Sequence, residues 1–546
     1  MSGATIRRDL AVFHGNLESD MKKRLQGIDT LFSVQHDAWT TKGFQYSFVA
    51  MLATYVDRDW EFSETLLSFD VLKEKHTGAT FSGHLARTLL ANDLGDKWAG
   101  SVTSDSTGTN HRMMDVLEYA PELDKLQPKG RGQVTLDRKS AAQVKASVSA
   151  LSIMNPRAKR TWVQRQTKVN AVTKLEAFTT SIHRGSGRRD DFRTTMAKEY
   201  HRRPKLAKAP FPPKPNATRW SSHFRMIRAA LKIREAIDSH CRANIGKKSD
   251  KLGSYLLTKS EWTMLEFLMP ILELASEATK ELEKARGTLY MVLDHHASLR
   301  DKIKATVAEL DTADLGKETT ESLKSFLAAM SSKLLKYRTL ALHNRYTLVA
   351  ALLDPANRME LFELAYPTYG KEAEKALRDI MSEWLGQGQG NNQLASTAST
   401  SNGAGTSTTM LQEAKRLRQQ QLAEERRKKT DTDSDEVARY LNIKNCPWRD
   451  SDETPYKWWR DNENVFPNIA KIARVILGIP GSSSSVERVF SQAALFSTSK
   501  RQSLSSKALS KLVSTKHWLI HGADELSGLP AEVKQIAETI NKLPDL

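Results

Sequence analysis

Three acidic residues occupy positions at which carboxylates could hold divalent metal ions. Asp37 follows a strand-like run, LFSVQH, and Asp105 ends another, KWAGSVTSD. Glu487 lies hundreds of residues later, in SSSSVERVFSQ. Carboxylates at the tips of neighbouring strands can hold two metal ions about 4 Å apart, which serve phosphoryl transfer. Taken locally, strand-end aspartates are more often turn formers, and Ser484 with Glu487 also matches a helix capping box.

The first hundred residues must position the two aspartates, and their pattern predicts a mixed α/β fold. Runs rich in aromatic and β-branched residues indicate strands, and a run that stops at a glycine indicates a helix. Three strands, a helix and a fourth strand are typical of mixed α/β proteins. The predicted elements are a helix at 5–26, strands at 31–40, 44–57, 59–72 and 97–105, and a helix at 76–95.

The middle of the chain is predicted to be helical. Residues 120–217 are basic and weakly periodic, which indicates a mixture of helix and loop. Apolar residues recur at helical spacing in 261–285 and 321–342, and we expect them to form the core of a bundle. Residues 386–410 are rich in Gly, Ser, Thr and Asn, as flexible linkers are. A charged helix follows, broken near residue 430.

Composition narrows the class of partner. The chain has 82 Lys and Arg against 64 Asp and Glu, a formal charge of +18. Such a balance favours an anionic partner, most often nucleic acid, although a solvated basic surface would look the same. Cys241 and Cys446 cannot build a disulfide framework or a Cys2His2 site, so we expect a reducing compartment and no zinc site. The absence of a signal core or an 18-residue apolar run predicts a soluble intracellular protein.

Several short motifs occur in the order found in the hAT superfamily of DNA transposases, which the chain resembles from about residue 5 to residue 520. The most specific part is the closing block, with its Trp-Trp pair, Ile-Pro, serine run and Glu-Arg-x-Phe-Ser. The motifs are VQHDAWTT (34–41), HTG (76–78), TSDSTGTNHRM (103–113), ATRWSSHFRMI (217–227), EW (261–262), LLDP (352–355), WWRDNENVFPNIAKIARVILGIPGSSSSVERVFSQA (458–493) and LVSTKHWL (512–519).

The resemblance implies a fold, a metal site and a chemistry. Members of the superfamily have an RNase H-like core interrupted by a large all-helical insertion, with an α-rich C-terminal dimerisation segment. Their Asp-Asp-Glu set corresponds to Asp37, Asp105 and Glu487, which would hold Mg²⁺ or Mn²⁺. The implied reaction is metal-dependent DNA strand cleavage and transfer, with hairpins forming on the flanking DNA. The implied location is the nucleus.

A second group of residues could contact DNA. Trp220 matches the tryptophan of the superfamily's TRW motif, and an indole can stack on an unpaired base. A tryptophan in the core is about equally expected. Arg219, Arg225 and Arg228 could meet phosphates, or could lie on a solvated helix face. Arg488 could support Glu487 or touch DNA, or form an ordinary surface salt bridge.

The closing block also predicts self-association, because many large apolar residues in a short region need a partner or a core. Packing on the RNase H-like sheet is the alternative for some of them. The predicted dimerisation residues are Trp458, Trp459, Phe466, Phe490, Leu512, Trp518 and Leu519.

The implied organisation has five segments, and it departs from the superfamily in several places. We expect no BED-type zinc finger before the core, a Cys-x-x-His segment is not found after the second Asp, and residues 120–165 match nothing expected. The segments are an N-terminal helix (1–28), the first part of the core (29–217, with 120–217 irregular), a helical insertion (218–385), a linker with a charged helix (386–432) and the second part of the core with the dimerisation region (433–546).

Three functions remain open at this stage. The first is a transposon-derived, dimerising, DNA-binding protein in which the departures have weakened catalysis. The second is an active metal-dependent transposase, which the retained acids favour. The third is a helical interaction protein that binds no nucleic acid. None of the three requires a membrane or a small-molecule substrate.

Overall fold

The computed structural model describes residues 3–41, 46–104, 108–119, 171–215, 220–246, 251–313, 315–385, 435–443, 454–496 and 505–521. The predicted linker at 386–410 and the anomalous segment 120–165 lie outside these ranges. Within them, no helix combines the length and the apolar character needed to cross a membrane.

The regular elements of the described residues are mostly helices. The four strands are β1 (Phe32–Thr40), β2 (Ser47–Val56), β3 (Phe62–Leu72) and β4 (Trp98–Thr103). Short 3-10 turns occur at Gly95–Lys97, Leu252–Tyr255 and Leu289–Met291. The helices are α1 (Gly3–Gly27), α2 (Gly78–Ala91), α3 (Gly108–Tyr119), α4 (Ala171–Ile182), α5 (Ser186–Glu199), α6 (Pro204–Ala207), α7 (Trp220–Lys232), α8 (Arg234–Arg242), α9 (Lys259–Leu282), α10 (Val292–Thr312), α11 (Lys317–Leu342), α12 (Arg345–Leu352), α13 (Arg358–Ala365), α14 (Gly370–Leu385), α15 (Glu436–Leu441), α16 (Pro455–Asn462), α17 (Pro467–Leu477), α18 (Ser484–Phe496) and α19 (Ser506–His521).

One mixed sheet organises the first part of the chain. Its strand order is β3-β2-β1-β4. The strands β1, β2 and β3 pair antiparallel, whereas β4 pairs parallel to β1. A parallel pair needs a crossover connection, and α2 supplies it between β3 and β4. The four predicted strands and the helix between the third and fourth are therefore confirmed, as is the mixed α/β class.

The two faces of the sheet are covered by different helices. Successive side chains of a strand point to opposite faces. On one face, His36 of β1 packs against Phe81 of α2, with 4.8 Å between the ring centroids. On the other face, Trp39 of β1 stacks on Phe490 of α18. The C-terminal helices therefore complete the core of a sheet that lies more than 400 residues earlier in the sequence.

The described chain divides into two compact units. The first comprises Met1–Val134, Leu282–Leu293 and Leu342–Leu546, and the second comprises Thr135–Glu281 and Asp294–Ala341. The predicted helical insertion, 218–385, differs from the second unit at both ends. Residues after 342 belong with the sheet because α12 is tied to it: the Tyr346 hydroxyl donates to the Ala99 carbonyl of β4 at 3.2 Å.

The second unit is helical, as predicted. Trp262, Leu265 and Leu268 of α9 are buried, so the first amphipathic stripe forms core. The second stripe is only partly buried. In α11, Leu323 and Leu327 are buried, but Phe326 and Tyr337 are 42% and 41% exposed. These two rings help to line an apolar groove of about 420 Å³ with residues of α9 and α10.

Candidate metal and DNA site

Asp37 lies in the sixth position of β1, at the centre of the sheet. It is half-buried and pairs across the strands with Ala50 of β2. Its Oδ1 accepts a hydrogen bond from the Ala38 backbone N–H at 2.8 Å. Asp37 and Trp39 are two residues apart on one strand and therefore share a face of the sheet. Because Trp39 stacks on Phe490, Asp37 points to the face that α18 covers.

The end of β4 lies beside Asp37 and is joined to the segment that leads into α18. Thr103, the last residue of β4, is in register with Gln35 of β1. Its hydroxyl donates to the carbonyl of Pro480 at 3.1 Å. Asp105 lies two residues further along the chain, outside the described residues, so the position of its carboxylate remains a prediction.

Glu487 lies in the first turn of α18 and is exposed to solvent. Phe490, three residues later on the same helix, stacks on Trp39 with 6.0 Å between the ring centroids. The predicted capping box is not what starts this helix. Ser484 is the first helical residue rather than the residue before it, and its hydroxyl donates to the Glu283 carbonyl at 3.2 Å.

The structure thus brings three pieces of the predicted metal site to one region of the first unit: the face of β1 that carries Asp37, the end of β4, and the helix that carries Glu487. Carboxylate oxygens are hard ligands of the kind that Mg²⁺ and Mn²⁺ prefer. The residues therefore fit such ions chemically. Convergence of all three carboxylates within a shared coordination sphere remains a prediction.

Arg488 is engaged inside the chain. Its Nη1 donates to the Glu283 carbonyl at 3.0 Å, and its Nη2 donates to the Ser485 hydroxyl at 2.6 Å. The same Nη2 lies 3.4 Å from the carboxylate of Glu64. These contacts hold the first turn of α18 against β3, and the ion pair with Glu64 is the salt-bridge alternative; support of Glu487 or a DNA contact remains a prediction.

The other predicted DNA contacts lie on α7 or just before it. Arg225 and Arg228 are exposed, and the Arg228 guanidinium lies over the ring of Phe224 at 5.2 Å. This exposure fits either a phosphate contact or a solvated face. Trp220 is the first residue of α7, but its side chain lies outside the described part of the chain, as does Arg219 entirely.

Most of the predicted dimerisation residues pack inside the chain itself. Trp459 is fully buried, and its indole N–H donates to the Leu353 carbonyl at 2.8 Å. The indole N–H of Trp518 donates to the Leu66 carbonyl of β3 at 2.8 Å. Within the set, Phe466, Phe490 and Leu519 are also buried, whereas Trp458 and Leu512 are half-buried. The alternative of core packing therefore applies to five of the seven, and their role in self-association remains a prediction.

A basic cavity of about 690 Å³ was not anticipated from the sequence. It lies between β3, α2 and α19 of the first unit, and its lining includes Lys73, Arg87, Lys507 and Lys511. The acids Asp70 and Glu18 also line it, and the Asp70 carboxylate is paired with His84 at 3.0 Å. Sequence patterns could not reveal this cavity, because its basic residues come from three segments that only the fold brings together.

The fold and the candidate site define an RNase-like α/β protein with an α-rich C-terminal block. Comparison with known families agrees: residues 35–131 match the ZBED1 RNase-like domain, and residues 436–519 match the hAT family C-terminal dimerisation region. The chain is therefore similar to hAT-like proteins in these two regions. The resemblance recognised from its motifs is confirmed.

Curated relatives are distant but similar over long stretches. A protein named as a transcriptional regulator, tpeD of Talaromyces stipitatus, is 25% identical over 516 residues, covering 91% of this chain and 54% of that protein. The zinc finger BED domain-containing protein RICESLEEPER 2 of Oryza sativa is 21% identical over 92% of this chain and 67% of its own length. DAYSLEEPER of Arabidopsis thaliana, also a zinc finger BED domain-containing protein, is 21% identical over 56% of this chain and 40% of its own length. The chain thus spans about half the length of tpeD.

Proposed function

We propose that this chain is a transposase-derived protein that dimerises and binds DNA in the nucleus. The basic cavity between β3, α2 and α19 carries the proposal. Lysine and arginine side chains around a concave surface suit the phosphates of a nucleic-acid backbone, and the formal charge of +18 would add long-range attraction. The matched dimerisation region supports a dimer, and the similarity to tpeD supports a regulatory role.

Salt-dependent DNA binding tests this proposal. Three cavity lysines, Lys73, Lys507 and Lys511, are replaced by Gln together, and the affinity for a random-sequence duplex is measured at several salt concentrations by fluorescence anisotropy. Each phosphate contact contributes about 0.9 to the slope of log affinity against log salt. Loss of three contacts should therefore lower the slope by about 2.7 and weaken binding irrespective of sequence.

A matched variant controls for net charge. Lys317, Lys333 and Lys336 lie on α11 and do not line the cavity, so their replacement by Gln removes the same charge without altering the cavity lining. We expect this variant to keep most of the wild-type slope. An equal loss in both variants would refute the cavity as the DNA site. If the wild-type protein shows no salt-dependent binding at all, the helical interaction protein becomes the better description.

Metal-dependent DNA cutting is the second candidate function. It is favoured by the shared face of the sheet, on which Asp37 and the helix of Glu487 lie, with β4 ending beside them. Asp37, Asp105 and Glu487 would hold Mg²⁺ or Mn²⁺, which would activate a nucleophile and stabilise the leaving oxygen. The protein's own part is to hold the three carboxylates at one edge of the core.

Nicking of supercoiled plasmid in the presence of Mg²⁺ or Mn²⁺ tests this second function. Asp37→Asn and Glu487→Gln should each abolish cutting, because each removes a negatively charged ligand. Glu74→Gln, which alters an exposed acid after β3, should cut like the wild type. Equal cutting by Asp37→Asn and the wild type would show that the assigned residues are not the site.

A further inference from the structure

Glu64, His517 and His521 form a compact group at one end of the sheet. Glu64 is the third residue of β3, and the two histidines lie one turn apart on α19. One potential ligand atom from each residue lies within 4.8 Å of the other two. The imidazole centroids are 4.3 Å apart, and Nε2 of His521 lies 4.0 Å from Oε1 of Glu64.

The burial of His517 leaves one of its ring nitrogens available to a ligand. The residue is 2% exposed, and its Nδ1 is buried with no hydrogen-bond partner among the described residues. Buried polar atoms in native proteins are nearly always paired with protein, water or an ion. Histidine nitrogen is the commonest metal ligand in proteins, so a buried ring nitrogen of this kind is suited to an ion.

Two imidazoles and one carboxylate are a ligand set suited to zinc. Zinc binds histidine nitrogen and carboxylate oxygen at about 2.0–2.2 Å in tetrahedral geometry, which places ligand atoms about 3.3 Å apart. Closing the present arrangement to that spacing requires side-chain shifts of about 1 Å. A cavity of about 190 Å³ adjoins Glu64 and His521, and it has room for water as a fourth ligand.

We propose that Glu64, His517 and His521 bind a zinc ion that fastens α19 to β3. The site lies apart from Asp37 of the predicted catalytic set. Glu64 pairs with Thr54, and Thr54 pairs with Ser33, which is four residues from Asp37 on β1. At about 3.3 Å per residue the two positions are about 13 Å apart along the strand. The mixed nitrogen and oxygen ligands also differ from the all-carboxylate set expected for Mg²⁺.

Two arginines lie close to this group and should influence its affinity for zinc. Arg24 donates from Nη2 to the Thr65 hydroxyl and from Nη1 to the His521 carbonyl, at 2.9 and 3.2 Å. Arg488 shares the Glu64 carboxylate, lying 3.4 Å from Oε2, whereas Oε1 faces His521. Positive charge opposes a bound cation, so neutralising Arg488 should strengthen zinc binding. An anion in the same place would be held less tightly after that change.

The experiment measures Zn²⁺ affinity by competition with a chromophoric chelator, using the full chain without a histidine tag. Glu64→Gln and His521→Ala should each weaken binding at least tenfold, and Arg488→Gln should strengthen it severalfold. Co²⁺ should give the visible absorption of a tetrahedral site in the wild type and lose it in Glu64→Gln. His521 is altered rather than His517 because it is partly exposed, so its replacement should leave the fold intact.

His14→Ala is the matched control, because His14 also lies one turn from a carboxylate, Glu18, on a helix of the same unit, at 3.7 Å. It should leave zinc affinity unchanged. The proposal is overturned if the wild type binds no Zn²⁺, or if Glu64→Gln and His521→Ala bind it as tightly as the wild type. Weaker Zn²⁺ binding in Arg488→Gln would also overturn it, because removing a positive charge from beside the Glu64 carboxylate should favour a bound cation.

Discussion

Replacing Trp459 by alanine separates a core role from an interface role. Trp459 has no exposed surface in the single chain, and it contacts the rings of Tyr440 and Trp458. Its indole N–H donates a hydrogen bond to the carbonyl of Leu353, the residue that follows α12. If Trp459 is core, its loss should destabilise each protomer, whether or not the protein is a dimer.

The expected cost follows from two effects. Truncating a buried tryptophan to alanine lowers the free energy of unfolding by about 3–5 kcal/mol, including the effect of the cavity left behind. The Leu353 carbonyl also loses its donor, and an unpaired buried acceptor costs about 1–3 kcal/mol. These effects overlap, so we expect a total of about 4–6 kcal/mol. Trp459→Phe keeps most of the apolar volume and should cost about 1–3 kcal/mol, mainly from the lost hydrogen bond.

The assay is urea-induced unfolding followed by circular dichroism, with sedimentation velocity run on the same samples. At a slope of about 3 kcal/mol per molar urea, a loss of 4–6 kcal/mol lowers the midpoint by about 1–2 M. Leu495→Ala is the control. Leu495 is a large apolar residue of α18 that is 53% exposed, and its truncation should change stability by less than about 0.5 kcal/mol.

One result would refute this reasoning. If Trp459→Ala unfolds at the wild-type urea concentration but sediments as a monomer where the wild type sediments as a dimer, Trp459 belongs to the interface rather than to the core.

Three further predictions concern the stability of the first unit. Burial, with a smaller contribution from His84, lowers the pKa of His36 to about 3. The unfolded chain therefore takes up a proton between pH 6.5 and pH 3 that the folded chain does not, so the free energy of unfolding falls as the pH falls through that window. His36→Leu should flatten this part of a curve of stability against pH. A Cβ on Gly287 would lie 1.8 Å from the Leu477 carbonyl oxygen. Gly287→Ala should therefore lower the free energy of unfolding, measured in urea, by about 3 kcal/mol or more. A Cβ on Gly15 of α1 would meet nothing within 4 Å, so the control Gly15→Ala should raise the free energy of unfolding by about 0.5–1 kcal/mol. The Glu436 carboxylate accepts three hydrogen bonds at the first turn of α17, so Glu436→Gln should lower the thermal midpoint by the equivalent of about 1–2 kcal/mol, and an unchanged midpoint would contradict its capping role.

The sheet could be predicted from the sequence because its signals are local. The run SFVAMLATYV of β2 is buried almost throughout, as the central position of that strand requires. The Thr77 hydroxyl accepts a hydrogen bond from the Thr80 N–H at the start of α2, so the start of this helix is also determined by neighbouring residues. Such patterns need no knowledge of distant contacts.

Contacts between distant segments could not be predicted in the same way. The division of the chain at Leu342 depends on Tyr346 reaching β4, and the zinc ligands are separated by more than 450 residues. The spacing of His517 and His521 on one helix was a usable signal, but Glu64 carried none, because a single acid in a strand matches no ligand pattern. For the predicted metal site, Asp37 and Asp105 stood out locally as acids at the ends of strand-like runs, but only the resemblance joined them to Glu487.

The burial of Trp459, Phe466, Phe490, Trp518 and Leu519 changes what the C-terminal motif means physically. These side chains fasten the last helices to the sheet, through Trp39 on β1 and the Leu66 carbonyl on β3. The residues by which the block is recognised are therefore needed to complete each protomer's core, whatever the oligomeric state. A dimer would then form through the outward faces of the same helices. Because α18 carries Glu487 on this block, anything that loosens the packing of Phe490 should disturb the candidate metal site before it disturbs the helices of the second unit.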